Sequence, residues 1–310
     1  MADTNHPKTT FINTPLGGGG KIIVTGANGQ LGKELKEIAP VHTEFEFIFL
    51  SKEDLPIHHF ELVRNVFSKL QPQFCINCAA YTAVDRAEAE SALAFEVNGE
   101  SVGVLAAICK EHNTKFIHLS TDYVFDGTGN TPYTENFPPH PINQYGASKW
   151  EGEKQALQLN PDTIIIRSSW LYSSYGKNFV KTMMQLINEK NEISVVNDQT
   201  GSPTYAGDLA QAILKIIDDN KWQPGIYHFS NDGAITWYDF AKAIKEITAG
   251  NAKIIPVSSA EYPAAARRPK FSVLDKTKIR KTFNIVLKDW KESLALCIHK
   301  IKKQIGKVEA

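Results

Sequence analysis

Tyr145 and Lys149 stand four residues apart in a stretch patterned as a helix, so the two side chains share one face. Reduction of a carbonyl by a nicotinamide needs a hydride donor and an acid that protonates the oxygen as charge develops on it. A free tyrosine, with a pKa near 10, is a poor acid at neutral pH. An ammonium about 4 Å away, at an effective dielectric of about 20, favours the phenolate by roughly 4 kcal/mol, or about three pKa units. That would bring the phenol into the working range of an acid–base catalyst. A lysine so placed can also hold a cofactor ribose. Y-x-x-x-K is common by chance, and alone it would read as a surface pair.

A second marker lies upstream in the run 118–127 (HLSTDYVFDG). A strand is expected to end at Ser120 and Thr121, which places a hydroxyl at the carboxyl edge of a sheet, where it can donate to the same carbonyl oxygen. Thr121, Tyr145 and Lys149 then form one catalytic constellation, with Asp122 beside it on the substrate side. Without Tyr145, the two hydroxyls would read as satisfying a turn.

A place for a dinucleotide is written in residues 21–32 (KIIVTGANGQLG), a short apolar strand, a glycine turn and the start of a helix. Gly26, Gly29 and Gly32 allow a tight turn and close backbone approach, and the helix N-terminus offers N–H groups to a pyrophosphate. Glycines often only make turns. The strand before these and the helical spacing of Leu31, Leu35 and Ile38 after them favour the dinucleotide.

Strand-like runs at 21–25, 46–50, 74–78, 115–120 and 163–167 alternate with helical stretches near 30–38, 59–70, 91–112 and 145–159. This is the pattern of an α/β fold, a doubly wound parallel sheet of the Rossmann-like kind. The expected division is a dinucleotide-binding domain over 21–170, to which 193–229 returns, and a smaller C-terminal substrate domain from 171–192 and 230–310. Thr236 opens a helix that Gly250 should end, with Asp239 in a capping-box position. The final helix carries a stripe of Trp290, Leu294, Cys297, Ile298, Ile301 and Ile305, expected to pack on its own domain, with a homodimer left open.

The 310 residues balance 34 basic against 34 acidic side chains, so no overall field favours nucleic acid or an anionic membrane. No apolar run suggests a membrane span, and residues 1–20 (MADTNHPKTTFINTPLGGGG) read as a disordered tail rather than a secretory signal. A cytoplasmic enzyme fits. Of the 4 cysteines, Cys75 and Cys78 make a C-x-x-C, but no partner motif completes a zinc site, so no metal is expected and the thiols read as buried hydrophobes.

Together these residues resemble the extended short-chain dehydrogenase/reductases, and within them the dTDP-4-dehydrorhamnose reductases. The similarity runs through 77–88 (NCAAYTAVDRAE), 120–125 (STDYVF), 145–149 (YGASK), 167–170 (RSSW), 178–183 (NFVKTM), 198–203 (DQTGSP), and Arg268-Pro269 with Ser272. It implies NAD(P)H-dependent reduction of the C4 keto group of dTDP-4-dehydro-β-L-rhamnose, a small-molecule nucleotide sugar, with Thr121, Tyr145 and Lys149 catalytic. The resemblance also implies that Gly29, Gln30, Leu31, Cys78, Ala79 and Ala80 line the cofactor and that Thr121 and Trp170 touch the sugar. Arg267 and Arg268 could pair with the diphosphate, or be surface arginines.

Where an Asp or Glu usually binds the adenosine ribose, this chain has Ser51 and Lys52, which suit a 2′-phosphate and lean towards NADPH, with NADH the alternative. Pro56-Ile57 replaces the usual Asp-Ile beside the adenine. Nucleotide-sugar dehydratases place a glutamate after the aspartate, and Tyr123 stands there instead. A 4-epimerase fits the later motifs less well. A non-catalytic regulatory subunit, like that of methionine adenosyltransferase, would need none of the three catalytic side chains.

Overall fold

Parallel strands buried on both faces read as continuous apolar runs, and these do. The computed structural model describes residues 10–12, 20–219 and 221–308. Its main sheet runs in the order Thr10–Ile12, Glu46–Leu50, Lys21–Thr25, Phe74–Asn77, Lys115–Thr121, Ile164–Ser168, Gly225–Phe229. Every neighbouring pair is parallel except the first, which is antiparallel. Side chains alternate between the faces. Ile22, Val24, Phe47 and Ile166 meet Leu31, Leu35, Leu209 and Ile213 from the helices Gln30–Ile38 and Ala206–Asp218. Ile23, Ile48, Cys75 and Phe116 meet Val63, Phe67, Leu105 and Ala156 from Phe60–Leu70, Ser101–Glu111 and Gln144–Leu159. The chain reverses its lateral direction at Lys21–Thr25, and a crevice opens there beyond the carboxyl ends.

A second apolar cluster holds the rest together. It packs Val180, Met183 and Ile187 of Phe179–Glu189 with Phe240 and Ile244 of Trp237–Thr248, and with Trp290, Leu294, Cys297, Ile298 and Ile301 of Trp290–Val308. The final helix thus turns its stripe onto its own lobe, while Ile305 is exposed. Glu192–Val196 pairs with Lys253–Val257 in this lobe. The expectation that 193–229 as a whole returns to the large sheet is therefore corrected: the helix Ala206–Asp218 and the strand Gly225–Phe229 return, and 193–196 stays behind with its partner strand. The capping box at Thr236 and Asp239 is formed, and the helix ends with Ala249 in the left-handed region, one residue before Gly250.

Two further departures have local causes. The helix expected over 91–112 is interrupted by a π turn at Glu96–Glu100. Asn98 drives it: its Nδ2 donates to Tyr81 O at 2.9 Å and to Ser148 Oγ at 3.0 Å, while its Oδ1 accepts from Tyr81 N. The whole run Ser91–Glu111 is long and apolar enough to cross a membrane by length and composition, but Val102, Leu105 and Cys109 are packed in the core beneath the sheet. The tail expectation also changes. Thr10–Ile12 pairs with Phe47–Phe49 as an edge strand, and residues 1–9 and 13–19 lie outside the described residues.

Candidate active site

The glycine turn faces the crevice. Gly26 has φ +65, and a Cβ there would sit 2.6 Å from the backbone of Cys78 and Ala79, so only glycine lets these two segments touch. Gly29 caps the helix Gln30–Ile38 with extended backbone and no side-chain cap, leaving its first turn to meet an anion. A cavity of about 820 Å³ follows, lined on one side by Gly26, Gly29, Gln30, Leu31, Lys52 and by Cys78, Ala79 and Ala80. Pro56 and Ile57 line it too. Gly32 is not in the lining; a Cβ there would meet Gly26 O at 2.6 Å, so it seats the helix on the turn. Ser51 is not in the lining either. It is buried, its N–H donates to Asp54 Oδ2 at 2.9 Å and its Oγ accepts from Asp54 N at 3.3 Å, which spends the side chain on a turn.

Thr121, Asp122, Tyr145, Lys149 and Trp170 line the other side of the same cavity. The helix Gln144–Leu159 carries Tyr145 and Lys149, and its N-cap Asn143 accepts from Gly146 N at 2.7 Å. Thr121 Oγ1 donates to Asp122 Oδ1 at 3.1 Å and accepts from Tyr123 N at 3.2 Å. Asp122 is 2 % exposed, and burial pushes its pKa up to about 7 against hydrogen bonds with Ser272 and Thr121 that lower it. The two residues the sequence paired electrostatically behave differently at rest. Burial pushes the Tyr145 phenol up to about 12, against a hydrogen bond with Thr121 that lowers it, and burial brings Lys149 down to about 8. Lys149 Nζ donates to Leu119 O at 2.7 Å and lies 3.4 Å from His118 Nε2. Removal from water, outweighing the hydrogen bond with Thr121, keeps the phenol protonated, where the spacing in sequence suggested a value near neutrality.

Arg167 lies behind this wall. It is 1 % exposed, and its guanidinium donates to both Glu153 oxygens, of which Oε1 also accepts from Ser120. Through Glu153, Arg167 ties the strand Ile164–Ser168, and Ser120 the strand carrying Thr121, to the helix carrying Tyr145.

On the substrate side, Trp170 takes φ +47 and stacks on Trp237 with ring centroids 3.6 Å apart. Trp237 borders both this cavity and a second of about 760 Å³, lined by Asp126, Tyr262, Arg267, Arg268 and Lys270. Arg268 is largely engaged: its guanidinium donates to both Asp85 oxygens at 2.8 and 3.1 Å, a bridge between the lobes. Sequence reasoning missed Trp237, Tyr123 and Lys270. Trp237 had a signal, an aromatic directly after a helix cap; the other two had none beyond their motifs. The four cysteines are free thiols.

A glycine turn at the switch point of a parallel sheet, facing a threonine, a tyrosine and a lysine across one cleft, defines a dinucleotide-dependent oxidoreductase of the short-chain kind. Residues 20–303 match the family described as RmlD substrate binding domain, and the chain belongs to that family. It is 40% identical over 284 residues to the dTDP-4-dehydrorhamnose reductase of Aggregatibacter actinomycetemcomitans, covering 88% of this chain and 97% of that protein. It is 36% identical to the dTDP-4-keto-6-deoxy-D-glucose reductase of Streptomyces niveus, covering 88% and 94%. Among solved structures, the dTDP-4-dehydrorhamnose reductase of Bacillus anthracis in complex with NADP superposes with a TM-score of 0.88 at 41% identity, covering 91% of this chain and 99% of that one. A UDP-glucose 4-epimerase of Thermotoga maritima, at 20% identity and TM-score 0.79, shares the fold.

Proposed function

We propose that this chain catalyses the NADPH-dependent reduction of the C4 keto group of dTDP-4-dehydro-β-L-rhamnose to dTDP-L-rhamnose, for polysaccharide assembly. The observation that carries this reading is the meeting of Thr121, Tyr145 and Lys149 on the cleft that the glycine turn opens. NADPH, when bound, supplies the hydride; Gly26, Gly29, Leu31 and Ala79 would hold it, with Lys52 near its 2′-phosphate. Tyr145 keeps its proton until the C4 oxygen gains charge and becomes the stronger base, and then gives it up. Thr121 turns its hydroxyl from Asp122 to the same oxygen. Lys149 steadies the phenolate left behind and the cofactor ribose.

The smaller lobe, 171–205 with 230–308, would bind the sugar nucleotide. Trp170, backed by Trp237, offers a flat apolar wall to the deoxysugar, and Arg267 and Lys270 can meet the diphosphate in the adjoining cavity. A cytoplasmic setting goes with this reading. The Streptomyces niveus relative is named for another 4-keto sugar, reduced at the same carbon, so the exact deoxysugar is the finer question. Purified protein given NADPH and each of the two sugar nucleotides should consume NADPH fastest with the 4-dehydrorhamnose compound. No turnover with either would reject the function; a clear preference for the glucose-configured compound would reassign the substrate.

A further inference from the structure

Behind the cleft, four polar side chains cross the sheet interior in a line: Thr25, Asn77, His118 and Lys149, none more than 2% exposed. One backbone N–H assigns the direction of every bond along it. Ala79 N–H donates to Asn77 Oδ1 at 3.2 Å, and Thr25 Oγ1 donates to the same oxygen at 2.6 Å. The other end of the amide, Nδ2, can only donate, and it faces His118 Nδ1 at 3.1 Å. An accepting Nδ1 obliges the neutral ring to carry its proton on Nε2. The charged ring is disfavoured by burial and then by Lys149, which hold the His118 pKa well below its ordinary value. Nε2 points at Lys149 Nζ, 3.4 Å away.

We propose that His118 is a positioning residue for the reduction: clamped as the Nε2–H form by Asn77, it meets Lys149 with a donor, so the amine aims its hydrogens at Leu119 O and the cleft. This rests on the assignment of Lys149 to the reaction. The opposite tautomer would accept a Lys149 hydrogen and draw the charge into the sheet, away from cofactor and phenol. The other titratable groups facing Lys149 are Glu153, from its own helix, which favours the ammonium but is shared with Arg167 and Ser120, and the Cys78 thiol, which burial keeps protonated. With burial, the facing donor makes Lys149 a group that changes charge near working pH.

Two measurements test this. In the full chain labelled with ¹⁵N-histidine, the His118 signals, identified by their loss in His118→Gln, should report a neutral Nε2–H ring from about pH 6 to about pH 9. An Nδ1–H ring, or one that titrates in that range, overturns the proposal. In the pH profile of kcat/KM, His118→Leu removes the donor and should move the basic limb up by about one unit, while His118→Gln, which can present an amide N–H in its place, should leave the limb near that of the wild type. A folded His118→Leu enzyme that loses rate with an unmoved limb makes His118 merely structural. Should that variant not fold, the spectrum of the wild type decides. The spectrum needs no turnover, so a chain that shows the expected ring but reduces no 4-keto sugar nucleotide refutes the function and not the hydrogen-bond assignment.

Discussion

The reaction proposed here turns on a proton that must stay put until it is needed. Tyr145→Phe keeps the ring and its edge-to-face contact with Tyr123 while removing that proton. The expected fall in kcat is roughly 10²–10⁴-fold with cofactor affinity little changed, read from initial rates and an NADPH titration. Lys52 should discriminate between cofactors: Lys52→Ala should weaken NADPH by about tenfold and leave NADH unaltered, in line with loss of one charged hydrogen bond. Equal losses with both cofactors would place the 2′-phosphate elsewhere. Asp122 makes a prediction about stability. Its folded pKa is raised to about 7 by burial, so between the unfolded value and that point the folded protein holds a proton that the unfolded chain has lost. Stability from this group is fully present below about pH 4 and is lost as pH rises towards about pH 7. Thermal unfolding of Asp122→Asn, compared with wild type, should show a gap that shifts in favour of the variant across that window and then levels. A gap independent of pH would mean Asp122 is ionised throughout.

Helices carry these side chains, and close contact sets where they lie. Gly152 sits one turn beyond Lys149, and a Cβ there would fall 2.0 Å from Asn98 O. Alanine is the better helix former by about 1 kcal/mol. The clash with a backbone oxygen should win, making Gly152→Ala destabilising by about 1–3 kcal/mol in denaturant melts, with lower activity because the π turn and the Tyr145 helix separate. An unchanged midpoint would show that the two helices can part freely. Strands and helices of the large lobe were legible because period and composition agree: β-branched and aromatic runs at 22–24 and 47–49, glycines at the first turn, a capping box at Thr236. The π turn was not, since it depends on Asn98 reaching Tyr81 and Ser148, two partners distant in sequence. That Thr121, Tyr145, Lys149 and the glycine loop would share a cleft could be read from types and spacing, and Trp170 from the resemblance. The commitment of Ser51 to Asp54, the engagement of Arg268 by Asp85 and the high pKa of Tyr145 could not, because each depends on burial or on a contact between remote segments.

Across the whole molecule, the chain leaves the large sheet after Ile164–Ser168, builds part of the small lobe, returns with Ala206–Phe229 and leaves again. A fragment of residues 21–170 would lack both the strand Gly225–Phe229 and the helix that covers Leu31, Leu35 and Ile166. It should aggregate or bind no cofactor when expressed alone; a soluble fragment that binds NADPH would contradict that expectation.

The pairing of Glu192–Val196 with Lys253–Val257 bears on how sugar preference could be moved between relatives. The two strands belong to different visits of the chain to one lobe, so recombination at a single crossover near residue 230 would marry a native strand to a foreign neighbour. With the sugar assigned to the small lobe as proposed, specificity would be inherited as two separated cassettes, 171–205 and 230–308, and a chimera that keeps its parent's fold should carry both.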